Sequence, residues 1–257
     1  MIERSINGIT FLTGTWPLSQ EKSTLIFIHG AGSSSIFWKY QIQSLSDDFN
    51  IVAIDLPGHG RSTEQGNDKI SDYAEVVDQF VKDLNMKSPV ICGLSMGGAI
   101  TQQLLLDGKE NYKAGIVINT GAKLKVMGMI FDMIRDDFQG YADTFDMVAI
   151  SEKTEKSKLK YVVDDLRSMN PEVVYNDFIA CNSFDVMERL NEVKVPVLVL
   201  TAEEDKLSPP KYGTFIADAV DNSFHVSIKG SGHMSPVEKP EEVNIAISDF
   251  LKELMPA

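Results

Sequence analysis

Short, unbroken apolar runs recur along this chain, separated by segments whose apolar residues repeat at helical spacing, and no other feature restricts the possible folds as much. The runs are Leu25 to Ile28, Ile51 to Ile54, Val90 to Leu94, Ile116 to Ile118, Val197 to Leu200 and Phe224 to Ile228. Continuous runs of this length suit strands buried on both faces of a parallel sheet. Between them, Tyr73, Val76, Val77, Phe80, Val81 and Leu84 follow the i, i+3, i+4, i+7 pattern, as do Val243, Ile247, Phe250 and Leu251. Strands alternating with helices predict right-handed βαβ units, hence an α/β fold with a mostly parallel central sheet and helices on both faces. The beginning differs. Ile6 and Ile9 flank Asn7-Gly8, a two-residue hairpin signal that predicts antiparallel N-terminal strands.

One stretch breaks the alternation. From about Ala122 to Leu190 no strand pattern is found, while Met127, Ile130, Phe131, Ile134 and Phe138 share one helical face and Asn170-Pro171 reads as an N-cap followed by proline at the first helical position. The expected organisation is a core of residues 1–121 and 191–257, with a helical cap of residues 122–190 inserted in it. Met127, Met129, Met133, Met147, Met169 and Met187 fall in the insert, where flexible thioethers suit either an adaptable lining or the filling of small helical cores.

Composition narrows the function classes. With 257 residues the chain can bury a large core. No apolar run approaches the roughly 20 residues that span a bilayer, and Met1-Ile2-Glu3-Arg4 lacks the layout of a signal peptide, so the cytoplasm is the expected location. A formal charge of −13 opposes binding to nucleic acid and anionic membranes. Cys92 and Cys181 lack further thiols at metal-ligand spacing, so neither a disulfide nor a metal site is expected.

Chemistry concentrates where the run Val90-Ile91-Cys92 enters Gly93-Leu94-Ser95-Met96-Gly97-Gly98 and continues into the helix-compatible segment Ala99 to Leu106. In a sharp strand-to-helix turn the chain doubles back closely, so small residues are required two before and two after an exposed serine. Gly93 and Gly97 meet that requirement; the competing reading is a glycine-rich turn with an idle serine. A serine hydroxyl needs a base to take its proton and a third group to orient that base. Thr201-Ala202-Glu203-Glu204-Asp205 follows one strand run and Gly230-Ser231-Gly232-His233 follows another, which supplies both in chain order.

On these motifs the chain resembles the α/β-hydrolases over nearly its whole length, and in pattern the small carboxylesterases, cofactor-free haloperoxidases and carbon-carbon bond hydrolases. The resemblance implies Ser95 as nucleophile, Asp205 as the acid and His233 as the base. Asp205 matches a Gly-x-x-Asp loop in which Ala202 replaces the glycine; Glu203 and Glu204 are rivals preferred as solvated loop charges. The alternative acid site, one strand earlier, reads Asn119-Thr120-Gly121 and holds no carboxylate. His29-Gly30-Ala31-Gly32 resembles the family's HGxG loop, which implies an oxyanion hole formed by the backbone N–H groups of Ala31 and Met96. Losing one such donor typically costs about 2.7–4 kcal/mol of transition-state stabilisation. Asp55-Leu56-Pro57-Gly58-His59-Gly60-Arg61-Ser62 is a further family string, structural by the same resemblance, and His29 and His59 are left with structural duties. His225 falls within a strand run.

The expected function is hydrolysis of small to medium apolar acyl esters through an acyl-enzyme, without metal or organic cofactor and with a small-molecule ester as the partner. Thioester hydrolysis, carbon-carbon hydrolysis and perhydrolysis stay open, as does a receptor or partner-binding role, because fold alone does not fix function.

Overall fold

The computed structural model describes residues 1–108 and 111–254. Among these, eight strands form one sheet in the order β1-β2-β4-β3-β5-β6-β7-β8. β1 (Ile2–Ile6) and β2 (Ile9–Thr13) make the N-terminal hairpin; Asn7 and Gly8 both take positive φ, 47° and 84°, the geometry of a tight two-residue turn. β2 runs antiparallel to β4 (Asn50–Ile54). From there β3 (Thr24–Ile28), β5 (Val90–Leu94), β6 (Ala114–Ile118), β7 (Val197–Ala202) and β8 (Ser223–Ile228) are parallel.

The helices are α1 (Lys39–Leu45), α2 (Ile70–Asp83), α3 (Met96–Gly108), α4 (Gly128–Asp136), α5 (Phe138–Ala149), α6 (Lys160–Ser168), α7 (Pro171–Ser183), α8 (Pro210–Ala219), α9 (Ser235–Glu238) and α10 (Pro240–Glu253). Side chains on successive strand residues leave on opposite faces, and both faces are buried. Ile26, Ile28, Val52 and Val199 join one apolar cluster with Val77 and Phe80 of α2 and Ile100 of α3; Leu25, Phe27, Ile51 and Leu198 join another with Ile42 of α1 and Ile247 of α10. This two-sided burial is why the inner runs carry no polar alternation.

Two expectations need correction. The run Phe224 to Ile228 does not form a strand buried on both faces. β8 is the outer edge of the sheet, paired only with β7, and four of its six residues are exposed. Phe224 rests against Phe250, with ring centroids 5.4 Å apart, and helices cover the edge incompletely. The face assembled from Met127 to Phe138 is also not continuous. Asp137 ends α4 and caps α5, its side chain accepting from Gly140 N, so Phe138 begins a new helix.

All of α4 to α7 lies between β6 and β7, and Ile134, Phe138, Tyr141, Leu166 and Val174 give these helices a small core of their own. Met169 is buried and Met133 packs on that core, whereas Met127, Met129, Met147 and Met187 are exposed. Most of the insert's methionines therefore do not line an enclosed space. Cys92 and Cys181 are free thiols, both buried.

Candidate active site

Ser95 sits at the carboxyl end of β5, between the strand and α3, with φ of 53°. A left-handed conformation is strained for a side-chain-bearing residue, and the surroundings hold it there. Its N–H donates to Ile118 O at 2.9 Å, while its carbonyl accepts from Ala99 N at 3.1 Å and from Thr120 Oγ1 at 2.8 Å. The hydroxyl is thus displayed by a turn tied on one side to β6 and on the other to its own helix.

His233 lies in the loop after β8 and Asp205 in the loop after β7. Nδ1 of His233 donates to Asp205 Oδ2 at 2.8 Å, and both side chains are almost wholly buried. The second carboxylate oxygen, Oδ1, accepts from the N–H groups of Leu207 and Ser208, each at 2.8 Å. Three donors on one carboxylate fix its orientation and leave Nε2 as the free nitrogen of the imidazole. Glu203 accepts from Gly230 N at 3.0 Å, and Glu204 from Ser151 Oγ and Lys153 Nζ; neither touches His233. No hydrogen bond joins Ser95 Oγ to His233 among the described residues.

Asn119 and Thr120, set aside in the sequence for want of a carboxylate, connect the two halves. Thr120 holds the Ser95 carbonyl, and Asn119 Nδ2 donates to the His233 carbonyl and to Ser235 Oγ, both at 2.8 Å. Glu238 was not singled out either. Its buried carboxylate accepts from Gly232 N at 3.0 Å, Ser151 N at 2.9 Å and Thr154 Oγ1 at 2.7 Å, which ties the His233 loop to the inserted helices. The available signal, Ser235-Pro236-Val237-Glu238, has capping-box spacing, but the carboxylate turns to these distant donors instead.

The loop after β3 crosses beside the elbow: a Cβ at Gly30 would lie 3.5 Å from Ser95 Cβ. His29 Nδ1 donates to Gly30 O at 2.8 Å and Nε2 accepts from Leu56 N at 3.2 Å, a pairing that requires the neutral ring. Burial, reinforced by the neighbouring His59, lowers its pKa to about 3. Asp55, the first residue of the Asp55–Ser62 string, accepts from Ser35 N at 2.7 Å and Arg61 N at 3.0 Å, so the string supports this loop. Among the described residues the Ala31 N–H makes no hydrogen bond, and Met96 opens α3, where helical N–H groups have no partner one turn earlier. His225 of β8 pairs with Thr201 Oγ1 at 3.0 Å, away from the elbow. Among the described residues no cluster of three or more His, Cys, Asp or Glu side chains is placed to hold a metal ion, and no helix is long and apolar enough to cross a membrane.

The same loop meets α6 through Ser34 Oγ, which donates to Asp165 Oδ2 at 2.8 Å. Burial raises the Asp165 pKa from the ordinary 3.8 to about 6, against the Ser34 hydrogen bond and with a further push from Asp55. Between these two values the folded chain keeps a proton that the unfolded chain has lost, so stability falls as pH rises from about 4 to about 6 and stays lower above. Asp165→Asn cannot ionise and keeps an oxygen for Ser34. Urea unfolding should find the variant more stable by about 1–2 kcal/mol at pH 7.5 and unchanged at pH 4.

A family model described as "Alpha/beta hydrolase family" matches residues 25–246. A Bacillus subtilis (strain 168) protein called "Uncharacterized hydrolase YugF" is 28% identical over 252 residues, covering 90% of each chain. A pimeloyl-[acyl-carrier protein] methyl ester esterase of Yersinia enterocolitica is 26% identical and covers 89% of this chain and 93% of its own. Among solved structures, one described as a thermophilic esterase superposes with a TM-score of 0.83 at 30% identity, covering all of this chain and 98% of its own.

Proposed function

Because the chain belongs to the alpha/beta hydrolase family, we propose that it is a serine carboxylesterase that cleaves small to medium apolar acyl esters by way of an acyl-enzyme. The observation that carries this reading is the 2.8 Å bond from His233 Nδ1 to Asp205, which leaves Nε2 free while Ser95 is displayed on a strained turn. The named relatives that act on esters support it at the level of reaction class.

In this mechanism Ser95 Oγ attacks the ester carbonyl carbon as its proton passes to His233 Nε2. The carbonyl oxygen takes up the negative charge and is held by the N–H groups of Ala31 and Met96, donors already in place before charge develops. The tetrahedral centre collapses, the carbon–oxygen bond to the alcohol breaks, and His233 returns the proton to the departing oxygen. Asp205 keeps the imidazole in one tautomer and stabilises its charged form. Water then attacks the acyl-enzyme by the same route, releasing the acid and restoring Ser95. The helices of residues 122–190 act as the lid that sets the size of the acyl group admitted.

The test is a chain-length series of p-nitrophenyl esters from acetate to dodecanoate, combined with a fluorophosphonate label located by mass spectrometry. Turnover should peak among the short and medium soluble esters, and the label should sit on Ser95. Preference for long-chain emulsions would overturn the substrate class; labelling at another residue, or a single stoichiometric burst without turnover, would overturn the enzyme.

A further inference from the structure

Outside the elbow and its partners, the described residues include a second buried histidine–aspartate contact. His59 Nε2 donates to Asp177 Oδ2 at 2.8 Å, and neither side chain has any exposed surface. His59 Nδ1 faces Pro57 O at 2.9 Å, so both ring nitrogens face acceptors, an arrangement that favours the charged imidazole. Burial by itself lowers its pKa; the charge and hydrogen bond of Asp177, with the Pro57 carbonyl, outweigh that and raise it. Asp177 is fully used: Oδ1 accepts from Tyr73 Oη at 2.7 Å, and Oδ2 also accepts from Gly32 N at 2.9 Å.

A buried ion pair is expensive to desolvate, and two apolar residues of similar size would often serve stability as well or better. Its use here is better sought in the third donor. Gly32 follows Ala31 in the loop beside Ser95, and Asp177 belongs to α7 of the insert, 145 positions away. The loop is pressed against that insert. A Cβ at Gly32 would lie 2.7 Å from Leu166 of α6 and 3.2 Å from Val174 of α7, and Ser34, two residues further, is bound to Asp165 of α6. The acceptor that fixes the Gly32 peptide therefore comes from the inserted helices, not from the core that carries Ser95.

We propose that Asp177 is a positioning residue for catalysis: by holding the Gly32 N–H from α7 it sets the adjoining Ala31 peptide, so the oxyanion site is complete only while the insert is seated on the core. This rests on the oxyanion role given to Ala31 above. His59 on Oδ2 and Tyr73 on Oδ1 keep the Asp177 carboxylate from rotating away from Gly32. Seating the insert and assembling the oxyanion site then become one event, with Asp177 as the link.

Asp177→Asn preserves shape but leaves one amide oxygen for three donors. On a soluble ester kcat should fall about 10- to 100-fold, since displacements near 1 Å are that costly, while KM stays within about threefold. Affinity for a trifluoromethyl ketone, which adds to the serine and places an oxyanion, should fall in parallel, and affinity for the product acid should not. Asp177→Leu strands a buried His59 charge and should be unstable. The double variant His59→Leu/Asp177→Leu should recover its Tm yet keep a low kcat, because Gly32 still lacks its acceptor. Recovery of kcat together with Tm, or an unchanged kcat in Asp177→Asn, would overturn the positioning role and leave only a structural one. Ser95→Ala separates the readings. If it retains hydrolysis, the function assignment and the positioning role both fall; if it abolishes hydrolysis while Asp177→Asn stays at full rate, the positioning role alone falls.

Discussion

Asp205→Asn is expected to lower kcat on a soluble ester by about 10⁴-fold while leaving the protein folded, a smaller loss than the roughly 10⁶-fold expected of Ser95→Ala. The reason lies in the donors around the carboxylate. Oδ1 accepts from the N–H groups of Leu207 and Ser208, and Oδ2 faces His233 Nδ1. An asparagine must keep its oxygen toward the two backbone donors, because its amide group would oppose them. The amide nitrogen is then forced to face Nδ1 and donate to it. That selects the tautomer with the proton on Nε2, which cannot accept a proton from Ser95. Steady-state kinetics beside near-ultraviolet circular dichroism would measure this. Glu203→Gln and Glu204→Gln should stay within about threefold of the parent, since surface pairs of this kind contribute little. A 10⁴-fold loss in either, with Asp205→Asn active, would move the acid to a different loop.

The pattern of legibility follows from the range of the forces involved. The hairpin at Asn7-Gly8, the inner strands and the turn at Ser95 are recorded in a turn dipeptide, in unbroken apolar runs and in glycines at close approaches, all of which are local. β8 misled because an apolar run does not say how many neighbours a strand will have, and at the sheet edge Phe224 and Val226 remain exposed. The break at Asp137 had a local signal, an N-cap residue three before Gly140, that competed with a helical face running through it.

The pairing of Asp205 with His233 joins two residues that the family resemblance implies, each in a loop that follows a parallel strand. The supporting contacts leave weaker traces. Glu238 and Asp177 accept from donors far away in sequence, Asn119 donates to acceptors that are also far away, and His59 is 118 positions from Asp177. One trace was readable: Asp177 shares its buried helical stripe with Val174, Ala180 and Cys181. An acid among apolar residues at that spacing must find a donor or stay protonated. Which donor it finds is decided by tertiary packing, which no local window contains.

The turn around Ser95 also predicts a severe stability loss at Gly97→Ala. A Cβ on Gly97 would collide with Ile28 O, lie 2.7 Å from His29 O and 2.8 Å from Ile28 C, all backbone atoms of the strand and loop that carry Ala31. A Cβ on Gly93 would meet the Gly97 carbonyl from the other side. No flexible side chain stands there to yield, so either the turn opens or β3 and its loop shift. Overpacking a well-packed site costs about 1–3 kcal/mol, and with backbone as the obstacle the upper end, about 3 kcal/mol, is expected for Gly97→Ala. In a chain of this size that lowers Tm by roughly 6–12 °C. Activity should fall further than stability, because relaxing the turn moves Ser95 away from its φ of 53° and moves Ala31 with it. Gly230→Ala is the control. Gly230 has φ of 61° but nothing within 4 Å of an added Cβ, so only the left-handed conformation is penalised, by about 1 kcal/mol, and kcat should be unchanged. Thermal melts and kinetics on both variants separate crowding from backbone strain. Equal losses in the two would mean that backbone crowding at Gly97 costs no more than the left-handed conformation at Gly230, and that the close approach of β3 to the elbow does little to hold Ser95 in place.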